Sequence, residues 1–154
     1  MVKTRASILI AQPPTRVFEF VAVDFANNYR RWSPEVQQLT LLTPGPLRVG
    51  SQARQVRLDQ GRRTDTTFRV IEMSPPDLIV FAESARQFRI EYRMEPVAEQ
   101  IRLTFAFDLA RLELYMRPFE KLIRMAVQEG AERVAHNIKG LIERDFSQQS
   151  GSRT

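Results

Sequence analysis

Cysteine is absent from the 154 residues, so the fold has no disulfide, no thiol nucleophile and no Cys-bound zinc. A single histidine, His136, excludes multi-histidine metal sites and leaves any histidine-based triad one possible base. Glycine is scarce, at six residues, and no glycine-rich phosphate cradle or metal-ligand cluster appears. Neither a metal nor another cofactor is expected. No apolar run approaches the roughly 18 residues of a membrane-spanning helix. The N-terminus lacks the apolar block and cleavage site of a signal peptide, so the expected location is cytoplasmic. Repeats and low-complexity tracts are also missing.

What is present describes a globular chain. Hydrophobic residues make up 43% and charged residues 27%, a composition that rules out disorder and collagen-like structure. The length suits one domain, expected over 1–146, with 147–154 (SQQSGSRT) as a flexible C-terminal tail. Net charge is +5, and all but Lys3, Lys121 and Lys139 of the 23 cations are arginine. Arg48 to Arg63 holds five arginines against Asp59. Such a segment is mainly solubilising, with a weak attraction to acidic surfaces as its functional alternative.

Val2–Ile10 reads as a strand closed by Pro13-Pro14. Val17, Phe18 and Val21 recur at helical spacing and predict a short helix over Pro14–Ala22. Asp24 is a candidate N-cap for a second, carrying Phe25 and Tyr29 and ending at Trp32-Ser33-Pro34. Six strands follow: Glu35–Leu42, Gly50–Leu58, Arg63–Met73, Leu78–Ser84, Gln87–Glu95 and Gln100–Ala110. Turn signals at Pro44-Gly45-Pro46, Asp59-Gln60-Gly61, Pro75-Pro76 and Pro96 separate them, and the short connections predict an antiparallel meander. A long helix over Pro118–Phe146 ends the fold.

Alternation assigns faces. Phe88, Ile90, Tyr92 and Met94 share one side of their strand. Ile101, Leu103, Phe105, Phe107 and Leu109 share one side of theirs. Val56 and Leu58 are expected inward, which carries Arg54 and Gln52 with them. Phe68 and Val70 bring Thr64 and Thr66 inward, with Glu72 as the one inward acid. On the long helix, Phe119, Ile123, Ala126, Val127, Gly130, Val134, Ile138 and Leu141 form the expected buried stripe.

One helix about 10 Å wide cannot cover seven strands spaced about 4.8 Å apart. The expected fold is therefore α+β: a seven-stranded curved antiparallel sheet around the C-terminal helix, with the two short helices plugging one open side. Small Ala126 and Gly130 opposite large aromatics leave two arrangements, tight interdigitation or an internal space.

A resemblance bears on that choice. Ile10-Ala11-Gln12-Pro13-Pro14-Thr15-Arg16-Val17-Phe18 resembles a strand, Ala-Pro, valine-phenylalanine opening. Asp24 to Pro34 resembles an aspartate before a short helix ending in Trp-x-Pro. Gly50-Ser51, Pro75-Pro76 and Tyr92 to Pro96 follow in order. Together these resemble the helix-grip fold of the START-like (SRPBCC) superfamily, in its polyketide cyclase/dehydrase and lipid-transport-like bacterial branch. The turn Val97-Ala98-Glu99-Gln100 departs from the pattern, lacking the glycine usual there. The resemblance implies a deep apolar cavity between sheet and helix for a lipid, quinone or polyketide-like molecule.

The candidate ligand-binding residues are Tyr29, Trp32, Arg54, Thr66, Phe68, Tyr92, Phe105, Phe107, Ala126, Gly130 and Asn137. Arg54 and Asn137 would engage a ligand carboxylate or carbonyl, and Tyr29 and Trp32 would stand at the cavity mouth. His136 lies about 140° from the helix stripe and is expected in solvent, and no inward carboxylate pair offers acid–base chemistry. Hydrophobic-ligand binding thus leads, with a cyclase, aromatase or dehydratase as the alternative. A ribosome- or nucleic-acid-associated module ranks last, because the aromatics fall on buried faces and not among exposed arginines.

Overall fold

The computed structural model describes residues 2–110, 112 and 114–151, with 147–151 as backbone alone. Strand β1 (Val2–Ile10) leads through Pro13 into α1 (Pro14–Phe18), a π-helical turn (Glu19–Val23) and α2 (Phe25–Trp32). Six strands follow: β2 (Val36–Leu41), β3 (Gln52–Asp59), β4 (Arg62–Ser74), β5 (Leu78–Glu83), β6 (Phe88–Val97) and β7 (Gln100–Leu109). A 3-10 turn (Leu114–Phe119) opens α3 (Glu120–Gly151). The helix thus continues past Phe146 into the expected tail, of which 152–154 lie outside the described residues.

The strands form one antiparallel sheet in the order β1-β7-β6-β5-β4-β3-β2. This is the helix-grip architecture expected from the sequence. Two-residue turns close the β3–β4 and β6–β7 hairpins. Gln60 and Gly61 both take positive φ (50° and 84°) between the paired Asp59 and Arg62, the geometry that matches the twist of the flanking strands. At the glycine-less turn Val97 still pairs with Gln100, and Ala98 takes φ 55° at the position that usually selects glycine.

The β6 and β7 faces are as the alternation predicts: Ile90, Tyr92, Met94, Ile101, Leu103 and Phe105 are buried. Elsewhere parity departs from expectation. Because β4 turns back through a two-residue loop, Ala53 faces Phe68 and Gln55 faces Thr66. Directly opposed residues share a side of the sheet, so inward Phe68 makes Ala53, Gln55 and Arg57 the concave set of β3. Gln52, Arg54 and Leu58 are accordingly exposed. A register shift between Val70 and Glu72 changes the parity again and leaves Glu72 exposed and Met73 half-buried.

The long helix also turns a different face inward. Ala131, Ala135, Ile138 and Ile142 are buried, Val134 and Leu141 pack at the margin, and Ala126 and Phe119 are exposed. Two polar anchors set this rotation. Gln128 donates to the Arg5 carbonyl at 2.8 Å, and Lys139 to the Leu9 carbonyl at 2.7 Å. Both carbonyls belong to the edge strand β1, whose unpaired backbone the helix covers. Small Ala131 and Ala135 allow that close approach. The helix therefore lies along β1 and reaches β7, while α2 covers the middle of the concave face.

Candidate functional site

The site begins with α2. Phe25, Asn28, Tyr29 and Trp32 recur at helical spacing and all are buried. Phe25 stacks on Tyr29 (centroids 4.6 Å apart) and on Phe81 of β5 (4.7 Å). Tyr29 and Trp32 meet edge to face, and Tyr92 packs on Phe105 at 5.2 Å. Offset and edge contacts of this kind are the favoured aromatic geometries. The rings of Phe25, Tyr29, Phe68, Phe81 and Tyr92, with Ile90 and Gln55, surround a centre with no void wide enough for a water molecule. At this centre the expected open cavity is closed, and what fills it is α2.

Polar groups are threaded through this apolar centre. The Tyr29 hydroxyl donates to Gln55 Oε1 at 2.8 Å, and Gln55 Nε2 donates to Thr66 Oγ1 at 3.3 Å. The Trp32 indole N–H donates to the Tyr92 hydroxyl at 3.3 Å. Gln55 is 2% exposed, and no fully buried side-chain polar atom among the described residues lacks a partner. A buried polar group left without its partner costs about 1–3 kcal/mol, so each member of the chain depends on the next.

Burial pushes the Tyr29 phenol above its ordinary pKa, partly opposed by the Arg57 guanidinium beside it. Burial raises the Tyr92 phenol as well, against the indole hydrogen bond from Trp32. Both phenols are therefore neutral donors at any physiological pH. Burial is the strongest single influence on Arg57 and works against its charge, but the hydrogen bonds to Asp59 (3.0 and 3.1 Å), the Asp59 charge and the neighbouring Tyr29 together outweigh it and raise the pKa. Glu35 approaches the same guanidinium at 4.0 Å. The cation at the rim is thus neutralised, and the interior offers neutral hydrogen-bonding groups.

The outer helix holds the plug. Asn137 donates to the Trp32 carbonyl at the end of α2 at 3.1 Å. Arg31 of α2 makes a two-pronged pair with Asp145 of α3, both contacts 3.0 Å. At its other end α2 is tied by Asn28 to the Phe20 carbonyl at 3.1 Å. The turn between α1 and α2 is π-helical, closed by the Asp24 N–H on the Glu19 carbonyl at 2.8 Å. Such turns interrupt the regular ladder and are frequent at functional sites.

The structure brings together Tyr29, Trp32, Thr66, Phe68, Tyr92 and Phe105 of the expected set. Tyr29 and Trp32 lie in the centre and not at a mouth. Phe107 stands at the margin, half-buried, stacked on Phe88 at 5.8 Å. Asn137 is committed to the α2 backbone. Three expectations are corrected. Arg54 is on the convex face, paired with Asp65 (Nε–Oδ1 2.8 Å). Ala126 is exposed, and Gly130 has the Arg133 side chain as its nearest neighbour at 3.8 Å, away from the core. Both follow from the rotation of α3. His136 is exposed, as expected. Phe25, Gln55, Arg57, Phe81 and Ile90 were absent from the expected set. For Gln55 the sequence held a signal: a two-residue turn at Gln60-Gly61 places it opposite Thr66.

The basic segment is largely spent within the chain. Arg54 pairs with Asp65, Arg57 with Asp59, and Arg48 donates to the Pro44 and Pro46 carbonyls. Among the described residues no group of three metal-ligating side chains occurs, and no helix is long and apolar enough to cross a membrane.

Known proteins share this architecture. The aromatase/cyclase Zhui from a Streptomyces species superposes with a TM-score of 0.71 at 15% identity, covering 94% of each chain. A protein of Thermus thermophilus superposes at 0.72 with 18% identity, covering 93% of this chain and 98% of the other. A polyketide-cyclase-like protein of Corynebacterium glutamicum gives 0.67 at 19% identity, over 95% and 94%. No curated protein matches the sequence. These likenesses carry the fold; the sequence itself supplies the family, because the model described as polyketide cyclase / dehydrase and lipid transport matches residues 1–143, and the chain belongs to that family.

Proposed function

We propose that the concave face binds a small, largely flat hydrophobic molecule, a lipid, quinone or polyketide-like compound, that carries a neutral carbonyl or hydroxyl group. The observation that carries this reading is the Tyr29–Gln55–Thr66 chain, set with Tyr92 inside an otherwise aromatic wall. Apolar side chains of the same shape would serve a purely structural core at least as well, since a buried hydrogen bond contributes only about 1 kcal/mol net. A ligand oxygen exchanged into this chain finds both donors and an acceptor already oriented, and the rings supply the apolar burial that drives binding. Because the centre is closed, the ligand takes the place of α2 side chains. Movement of α2 on its π-helical turn, with release of Asn137 and Asp145, is the opening step.

Trp32, the single tryptophan, reports directly. Titration with menadione or oleic acid is expected to change its fluorescence saturably. Gln55→Leu is expected to weaken binding about fivefold, the equivalent of one hydrogen bond. A linear, non-saturating response to both probes, with native mass spectrometry showing no adduct, overturns the proposal.

A second reading rests on the two phenols. Tyr29 and Tyr92 remain protonated and share one site, so they could polarise a ketone during ring closure of a polyketide-like substrate. The likeness to an aromatase/cyclase favours this reading over other chemistries. Tyr92→Phe should then abolish product formation from a poly-β-ketone while sparing binding of menadione; equal loss of both removes the catalytic role.

A further inference from the structure

Leu114, Tyr115, Phe119, Leu122 and Met125 are between 54% and 75% exposed. They follow one another through the 3-10 turn and the first turns of α3. Single exposed apolar residues are ordinary, but five in close succession form a patch. At 100° per residue, Phe119, Leu122 and Met125 span about 120° of the helix surface. The centre of that arc lies roughly opposite the side on which Ala131, Ala135, Ile138 and Ile142 enter the core. These side chains are therefore not the margin of the core. They face away from it.

The charge around the patch points to its occupant. Arg117 and Lys121 stand among the apolar residues, and Arg133 lies farther along the same outward side. From 114 to 126 there is one carboxylate, Glu120, and it pairs with Arg124 at 3.4 Å. Glu129 ends the apolar run. Long Lys and Arg stems lie along apolar surface while their heads reach polar groups. Aromatic, Leu and Met side chains on one face beside such cations make a helix suited to the boundary of an anionic bilayer. A second copy of the chain fits less well, because a two-fold axis would set this cationic patch against itself.

We propose that the 3-10 turn and the start of α3 dock on an anionic lipid surface, with Phe119 and Leu122 seated at the acyl boundary and Arg117 and Lys121 on lipid phosphates. The proposal stands whatever the core receives, and its test involves no core ligand.

The full chain would be sedimented with phosphatidylglycerol–phosphatidylcholine vesicles and with pure phosphatidylcholine vesicles. Binding is expected to the first and to fall steeply with added salt. Phe119→Ser with Leu122→Ser should weaken it at least tenfold through lost apolar burial. Lys121→Glu should weaken it about fivefold or more. All three side chains are exposed, so unchanged thermal midpoints verify the fold. Leu42→Ser, at an exposed apolar position outside the patch, should leave binding unchanged. Equal binding to both vesicle types, or variants that bind like the parent, overturns the proposal. So does a double serine variant that converts a dimer to a monomer while vesicles bind neither form, which would make a second copy the occupant.

Discussion

The two halves of α3 carry apolar residues at similar spacing and put them to opposite uses. Toward the C-terminus, Ala131, Ala135, Ile138 and Ile142 are buried and the adjoining polar residues hold α2 in place. Toward the N-terminus, Leu122 and Met125, with Phe119 of the preceding 3-10 turn, lie outside. Periodicity thus marks a helix as two-faced without saying which face the protein uses. What separates the halves is how they are fastened: Gln128 and Lys139 tie the later part to the β1 edge.

The contrast is sharpest in stability. Ile138→Ala should cost about 2–5 kcal/mol in urea unfolding, through lost burial and the cavity left behind. A cost below 1 kcal/mol would mean that the C-terminal half does not anchor the core.

The core that this half closes should also respond to alkali. The folded pKa values of Tyr29 and Tyr92 are raised above the unfolded value near 10. Their contribution is fully present below about pH 10 and is lost as pH rises above it, because the unfolded chain releases protons that the folded chain retains. Denaturant midpoints measured from pH 8 upward should hold steady and then fall, and Tyr29→Phe with Tyr92→Phe should flatten the fall. A midpoint that declines equally in that variant would assign the alkaline sensitivity to other groups.

Smaller effects test the link between α3 and the plug. Gln55→Leu removes the acceptor of the Tyr29 hydroxyl and should destabilise by about 1–3 kcal/mol. Asn137→Ala frees the Trp32 carbonyl and should cost about 1 kcal/mol, with faster association of any core ligand in stopped-flow as its signature. Leu122→Ala should change stability by no more than about 0.5 kcal/mol. A larger loss would show that the N-terminal half packs on its own protein after all.

The strands that could be read from sequence are those where alternation runs unbroken. Phe88 to Met94 and Ile101 to Leu109 keep one parity from end to end, and their rings are where the pattern places them. β3 misleads because Val56 and Leu58 look like an inward pair while the turn at Gln60-Gly61 assigns that side to Ala53, Gln55 and Arg57. β4 misleads because a register shift near Val70 moves Glu72 outward. In the candidate site, the inward sides of Thr66, Phe68, Tyr92 and Phe105 were legible from alternation, whereas Tyr29 and Trp32 were expected at a mouth and lie in the centre. Arg54, Ala126 and Gly130 were not, since their surroundings depend on register and helix rotation.

Local chemistry therefore settled which segments are strand, turn or helix: side-chain period, proline and turn residues act over a few neighbours and are visible in the chain. The contents of the interior depended on assembly. Whether aromatic rings meet a void, a helix or one another is decided by how α2 and α3 share the concave surface of a sheet edged by β1, and that packing joins residues more than a hundred positions apart.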